Sequence, residues 1–319
     1  MDVLLVGGSG FVGTNLALEL IDRDHAVTAL SRSPDDANLP ADVDTVAGDV
    51  TDVESVAPAL AGRDAVVNLV ALSPLFEPSG GNETHDRVHR RGTEHVVRAA
   101  EERGVGRLVQ LSALGADPDG PTAYVRAKGR AEAAVRESDL EWTVFRPSVV
   151  FGDGGEFVAF TRRLTTPYVT GLPGGGKTRF QPIWVGDLAP MLADGVEGTH
   201  TGQADAENPH AGRTYEVGGP EVLTLARVAK LVYRAEGKPL AVVPVPMPLA
   251  GLGLRIAGAI PGFPMGPDQY RSLAFDNTVA ENDVTAFGRD HVDLRTLADY
   301  LGVAGEAPPS EARTTAATD

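Results

Sequence analysis

The stretch that most limits what this chain can fold into is Val3 to Gly13, VLLVGGSGFVG. Val3, Leu4, Leu5 and Val6 form a short, continuous apolar run, the signature of a strand buried on both faces. Gly7, Gly10 and Gly13 follow at a spacing of three, and Leu16, Ala17, Leu20 and Ile21 then recur at helical spacing. Strand, glycine turn and helix make the first half of a dinucleotide-binding βαβ unit. Gly7 allows the tight turn out of the strand, Gly10 lets backbone approach a pyrophosphate, and Gly13 lets the helix pack closely. The helix N-terminus then offers free N–H groups and a partial positive charge to the phosphates. Phe11 and Val12 belong to the same contact. The expected class is α/β, a Rossmann-type doubly wound parallel sheet.

Further cofactor contacts are expected at the ends of the next strands. Ala26–Ser31 reads as the second strand and ends in Ser31-Arg32-Ser33. An acidic residue here would favour an NAD ribose, whereas Ser31 and Arg32 suit a 2′-phosphate. NADP(H) is therefore favoured and NAD(H) is the alternative, with Asp35 and Asp36 close enough to shift the balance. Asp49 and Val50 follow the strand near Asp44–Ala47, and Asp49 is placed to meet the adenine amino group. Thr51 or Asp52 caps a helix over Val53–Leu60. Val70 and Ala71 end the strand Ala65–Ala71 beside the cofactor. The loop Ser73–Gly81 then opens over that end of the sheet, as a substrate lid or a solvated insertion.

A helix is expected over Asn82–Arg103, with His85, His89 and His95 along it. No Asp or Glu completes a ligand set there, so these read as ordinary surface or interface histidines and no metal is expected. After a strand over Gly106–Ser112, the segment Pro121–Ser138 carries Tyr124 and Lys128, four residues apart and on one helical face. An ammonium beside a phenol lowers the phenol pKa, which makes Tyr124 a general acid/base for a carbonyl or hydroxyl. Lys128 also holds the nicotinamide ribose, and Ser112 orients the substrate oxygen.

Taken together, these pieces resemble the short-chain dehydrogenase/reductase superfamily in its extended or atypical branch, often called NAD-dependent epimerase/dehydratase. The resemblance rests on Gly7–Gly13, Gly48-Asp49, Gly92-Thr93, Leu111–Ala116, Tyr124–Lys128 and Arg146–Gly152, with Gln181–Asp187 and Tyr215–Pro220 further on. It covers roughly residues 1 to 300. Within the branch the chain looks most like the group containing the NADPH-binding accessory subunit of respiratory complex I. The resemblance implies a Rossmann core over 1–151 and a substrate lobe over 152–302 that returns elements to the core. It also implies that Pro147, Val149 and Val150 line the nicotinamide pocket. One departure matters: members carry a second serine or threonine after the strand, and here Ala113 and Leu114 follow Ser112. Dimerisation through the helices that hold His89 and Tyr124 is usual in that family, so an oligomer is left open.

The second lobe reads as a loop at Gly171–Gly176, a helix over Val185–Val196 with Asp187 near its start, a strand at Thr214–Val217 and a helix over Thr224–Glu236. A last helix is expected over Asp293–Leu301, and 303–319 reads as a disordered tail. Pro244–Pro267 is apolar and nearly uncharged. It reads as a core helix, the roof of an apolar pocket, or a peripheral contact with a membrane or a respiratory complex; it is too short to span a bilayer.

Acidic residues outnumber basic ones by 44 to 28, for a net charge of −16, and only four of the basic residues are lysine. That balance looks salt-adapted, as in haloarchaea, and argues against nonspecific binding to nucleic acid or anionic lipid. There is no cysteine, which excludes disulfides and thiolate chemistry. With a strand beginning at residue 2 and no long apolar run, neither a signal peptide nor a transmembrane span is expected, and the compartment is cytoplasmic, with a peripheral place at the inner face of the cell membrane left open. The expected activity is an oxidoreductase or epimerase acting through Tyr124 on a small apolar molecule such as a quinone or isoprenoid. The alternatives are a non-catalytic NADPH-binding subunit or assembly factor, and a redox-sensing regulator.

Overall fold

Both faces of the first strand are sealed from water, and this sets the layering of the whole chain. In β1 (Asp2–Val6), Val3 and Leu5 face one apolar core while Leu4 and Val6 face another, and all four are 0% exposed. A strand apolar on both sides needs helices on both faces. The structure, a computed structural model, describes residues 1–34, 39–200, 203–204, 208–246, 249, 267–272 and 275–304.

Beside β1 lie β2 (Ala26–Ser31), β3 (Val43–Ala47), β4 (Ala65–Asn68), β5 (Arg107–Leu111), β6 (Glu141–Pro147) and β7 (Arg213–Val217). They form one parallel sheet in the order β7-β6-β5-β4-β1-β2-β3. The chain runs outward from β1 in one direction and then in the other. The reversal leaves a crevice between the carboxyl ends of β1 and β4, where such sheets bind ligands. One face is covered by α1 (Phe11–Asp22) and by the helix Val185–Glu197, the other by α2 (Gly92–Arg103) and α3 (Ala123–Arg136). The smaller lobe has its own core of Phe151, Phe157, Leu223, Val228, Leu231 and Val232. Its parallel pair Tyr168–Pro173 and Leu240–Val245 lies apart from the main sheet. Strand β7 and the helix Val185–Glu197 come from beyond residue 152 and pack into the main sheet.

Several expected elements differ in detail. The helix over Asn82–Arg103 is broken into Glu83–His85, a wide π-type turn at Asp86–Arg91, and α2. Val53–Leu60 is one α-helical turn followed by a tighter turn at Ala57–Leu60, which begins just before Pro58. Strand β4 stops at Asn68, whose side-chain oxygen accepts from Val70 N–H at 3.3 Å and turns the chain. In place of a last helix over Asp293–Leu301 there are two short pieces, His291–Asp293 and Leu297–Tyr300, the second capped by Thr296. Most of Pro244–Pro267, all of 305–319, Asp35 and Asp36 lie outside the described residues.

Phe145 of β6 is 0% exposed and packs against Tyr215 of β7 and Phe287, with ring centroids 5.8 and 5.2 Å away. It joins the main sheet to the chain's last third. Phe145→Ala is expected to lower unfolding stability by about 3–5 kcal/mol, read by urea denaturation at fixed ionic strength.

Candidate functional site

The turn after β1 is a place where backbone meets backbone. Gly7 has φ +84°, and a Cβ there would stand 3.2 Å from both Val70 Cγ2 and the Val70 nitrogen. Gly7 and Val70 therefore form the floor of the crevice between β1 and β4. A Cβ on Gly13 would lie 2.6 Å from the Gly8 carbonyl oxygen and 2.7 Å from that of Gly7, so the turn and the first coil of α1 touch with no room for a side chain. Gly10 is the N-cap of α1, and neither a capping side chain nor a first-turn acid occupies the helix start. The first N–H groups are left for an anion. Beside them, the Phe11 ring packs over the turn Gly152–Gly155 and Val12 is half-buried against the core.

The rim at β2 and β3 holds the next group. The Ser31 hydroxyl is buried without a hydrogen-bond partner, at the end of β2 where a ribose or its phosphate would come. Arg32 is exposed beside it. Asp49 uses one carboxylate oxygen on its own turn, accepting from Thr51 N–H at 2.9 Å and Thr51 Oγ1 at 2.8 Å. Partial burial pushes its pKa up, but those bonds and the Arg32 and Arg87 guanidiniums bring it below the ordinary aspartate value. That oxygen is spent on the turn, and the other accepts no hydrogen bond from the described residues. Val50 is buried, and its carbonyl lies 2.7 Å from His95 Nδ1.

Tyr124 and Lys128 share the inner face of α3, as their spacing requires, but they are not a hydrogen-bonded pair. The Lys128 ammonium is buried and donates to the Val70 carbonyl at 3.3 Å and the Leu111 carbonyl at 3.0 Å. It thus bridges the last residue of β5 to the chain just beyond β4. Burial pulls its pKa down to about 8 against the pull of Glu132. Ala71, next to Val70, is exposed. The expectation that Lys128 lowers the Tyr124 pKa is corrected: burial raises the phenol instead. At neutral pH Tyr124 is a protonated phenol, and no described residue hydrogen-bonds to its hydroxyl.

The histidines are also corrected. His85 and His89 are not on the surface; they are 1% and 2% exposed and pack on Tyr124, with ring centroids 5.6 and 5.3 Å from it. His89 Nε2 accepts from Leu72 N–H at 2.8 Å, which places the ring proton on Nδ1, and that nitrogen has no partner. Burial, then Lys128 and His85, hold His89 well below the usual imidazole pKa, so it is neutral. Burial likewise lowers His85. Among the described residues no group of three or more His, Asp or Glu is placed to hold a metal.

Ser112 is the third correction. It is 5% exposed, and its hydroxyl donates to the fully buried Glu132. Glu132 also accepts from Arg146 at 2.8 and 2.9 Å and from Arg136 at 2.6 Å. Ser112 therefore belongs to an internal ion cluster and does not stand free for a substrate oxygen. Sequence reasoning passed over Glu132, although it stands four residues after Lys128 on the same face of α3. On the far side of the crevice, Pro147 is buried while Val149 and Val150 are half-buried. Asn277 fixes that segment: its Oδ1 accepts from Ser148 Oγ at 2.7 Å and Val149 N–H at 3.0 Å.

With this geometry in place, a family model described as NAD(P)H-binding matches residues 7–166, from the glycine turn past α3. The chain belongs to that family. Solved structures of a dTDP-glucose 4,6-dehydratase and of sugar epimerases share its fold. It is 27% identical over 294 residues to the mitochondrial NADH dehydrogenase [ubiquinone] 1 alpha subcomplex subunit 9 of Arabidopsis thaliana, covering 86% of this chain and 70% of that protein. It is also 27% identical to the 2-alkyl-3-oxoalkanoate reductase of Stenotrophomonas maltophilia, covering 75% and 77%. The fold matches the NAD complex of UDP-glucose 4-epimerase from Thermus thermophilus at a TM-score of 0.63 and 21% identity, covering 96% and 100%. Ser31 and the glycine turn fit what an NAD(P)H-binding protein needs: an unpartnered buried hydroxyl at the ribose end and an uncapped helix start at the pyrophosphate.

The depressed Lys128 has a consequence for stability. Its pKa is about 8 when folded and near 10.5 when unfolded, so between these values the unfolded chain binds the extra proton. Stability is therefore expected to rise with pH from about 8 to 10.5 in the wild type relative to Lys128→Met, measured by urea denaturation at each pH.

Proposed function

We propose that this chain is an NADP(H)-dependent reductase of a carbonyl on a small apolar molecule, with Tyr124 as the proton donor. The observation that carries this reading is the protonated phenol of Tyr124 beside the bridge that Lys128 makes between the last residue of β5 and the chain just beyond β4. The phenol is protonated at neutral pH and so carries the proton a reduction needs. When bound, the cofactor supplies hydride to the carbonyl carbon. The carbonyl oxygen then takes the Tyr124 proton, and the C=O π pair becomes the O–H bond. The phenolate left behind takes a proton back from solvent, and Lys128, held by the Val70 and Leu111 carbonyls, serves to position the cofactor's ribose. His85 and His89, neutral and packed on the ring, add no competing charge.

Support for NADP(H) comes from Ser31 and Arg32, a hydroxyl and a guanidinium at the end of β2 where NAD-specific sites carry an acid. Support for an apolar substrate comes from the apolar run of Pro244–Pro267 and from exposed Tyr168, Val169 and Val243 on the lobe. The resemblance to a protein named 2-alkyl-3-oxoalkanoate reductase points the same way. A second reading has its own observation: Ser112 is locked on Glu132 and no second serine follows it. A tight NADPH-binding accessory subunit without turnover would need neither.

Tyr124→Phe is expected to leave the NADPH dissociation constant unchanged and to slow single-turnover oxidation of NADPH by alkyl ketones and quinones about 10²–10⁴-fold. Equal rates in both proteins would remove Tyr124 from the chemistry. Tight NADPH binding with no consumption by the wild type would favour the accessory-subunit reading. Tighter binding of NADH than of NADPH would overturn the assignment of Arg32.

A further inference from the structure

The π-type turn that buries His85 and His89 presents a different chemistry outward. A groove of about 670 Å³ runs between this turn and α3, lined by Arg87, Arg90, Arg91, Arg126 and Arg130. In a chain of net charge −16 that is a local reversal of sign. Asp86 is its hub. Its carboxylate takes Arg90 at 2.7 and 2.8 Å, Arg91 at 3.5 Å and Arg130 at 4.0 Å. Glu94 takes the other side of Arg90 at 2.8 Å. Arg126 spends one nitrogen on the Gly120 carbonyl, and Arg87 acts on Asp49 at the adenine end of the crevice. Among the described residues Glu83 is the other acid lining the groove, and with Glu94 on Arg90 three carboxylates meet five guanidiniums, so positive charge is left over.

A second observation points to a ligand. The side-chain oxygen of Asn82, which lines the same groove, is shielded from water and has no hydrogen-bond partner. A buried acceptor left unpaired is costly and is satisfied by a hydroxyl or amino hydrogen. Guanidinium forks match phosphate oxygens in geometry and charge. The groove also has the size of a small-molecule site. An isologous dimer through this face would set one positive surplus against another, which argues against a second copy as the occupant.

We propose that this groove binds a small soluble phosphomonoester carrying a hydroxyl near its phosphate, at a site separate from the dinucleotide crevice. Arg91 and Arg130 hold the phosphate, and Asn82 accepts from the hydroxyl. The site lies on the outer flank of the turn whose inner flank packs on Tyr124, so its ligand needs no access to the crevice.

The test is isothermal titration of the full chain, saturated with NADPH at fixed chloride, with glycerol 3-phosphate. Saturable one-to-one binding is expected, weakened about tenfold or more in the double variant Arg91→Gln/Arg130→Gln. Both side chains are exposed, at 61% and 49%, so the fold should survive; unchanged NADPH affinity checks this. Arg91→Lys/Arg130→Lys keeps the charge without the fork and should fall between. Absence of binding, equal binding in the Gln variant, or release of the phosphomonoester by NADPH would each overturn the proposal. So would binding only to vesicles containing phosphatidic acid, or a dimer in ultracentrifugation that the Gln variant abolishes.

Discussion

The contact between the first helix and the turn that precedes it governs the rest of the architecture. With backbone oxygens 2.6 and 2.7 Å from where a Gly13 side chain would begin, α1 lies directly on the turn and its N-terminus opens at the crevice. Gly7 reaches Val70 across that crevice, and Val70 carries one of the two carbonyls bridged by Lys128. Pyrophosphate end and reactive end are thus linked through one residue of the chain leaving β4. A change that lifts α1 away from the sheet would disturb both.

The polar groups around Tyr124 sort by depth. Glu132, fully buried, is matched by Arg146, Arg136 and Ser112, and breaking such a cluster is costly because a charge is left unpaired. Lys128 is partnered only by backbone carbonyls and responds by a lowered pKa. His85 and His89 are neutral and each keep an unpartnered ring nitrogen. The result is a proton-bearing phenol packed on two neutral imidazoles. Burial therefore keeps the phenol protonated at rest.

The parts legible in the sequence are those whose signal is local. β1, its glycine turn and α1 are written within some twenty residues by an apolar run, a glycine spacing and a helical period. The spacing of Tyr124 and Lys128 places them on one face in the same way. What was hidden depends on distant partners. Ser112 looks like a free hydroxyl at a strand end until Glu132 arrives from α3 with two arginines, one of them from β6. His85 and His89 look like a surface pair because nothing near them says that Tyr124 will cover them. The helix over Asn82–Arg103 carries no glycine or proline at the widened turn, so its π-type section has no sequence mark. Position along α3 offered one missed signal: Glu132 continues the inner-face series of Tyr124 and Lys128.

The central claim is that a dinucleotide lies along the crevice from the Gly7–Gly13 turn to the Lys128 bridge. Amide hydrogen exchange of the full chain with and without saturating NADPH reads this directly. Slower exchange is expected at Gly8–Thr14, at Ser31–Arg32 and at Val70–Leu72. No protection in these segments, or protection confined to the arginine groove beside Asp86, would contradict it.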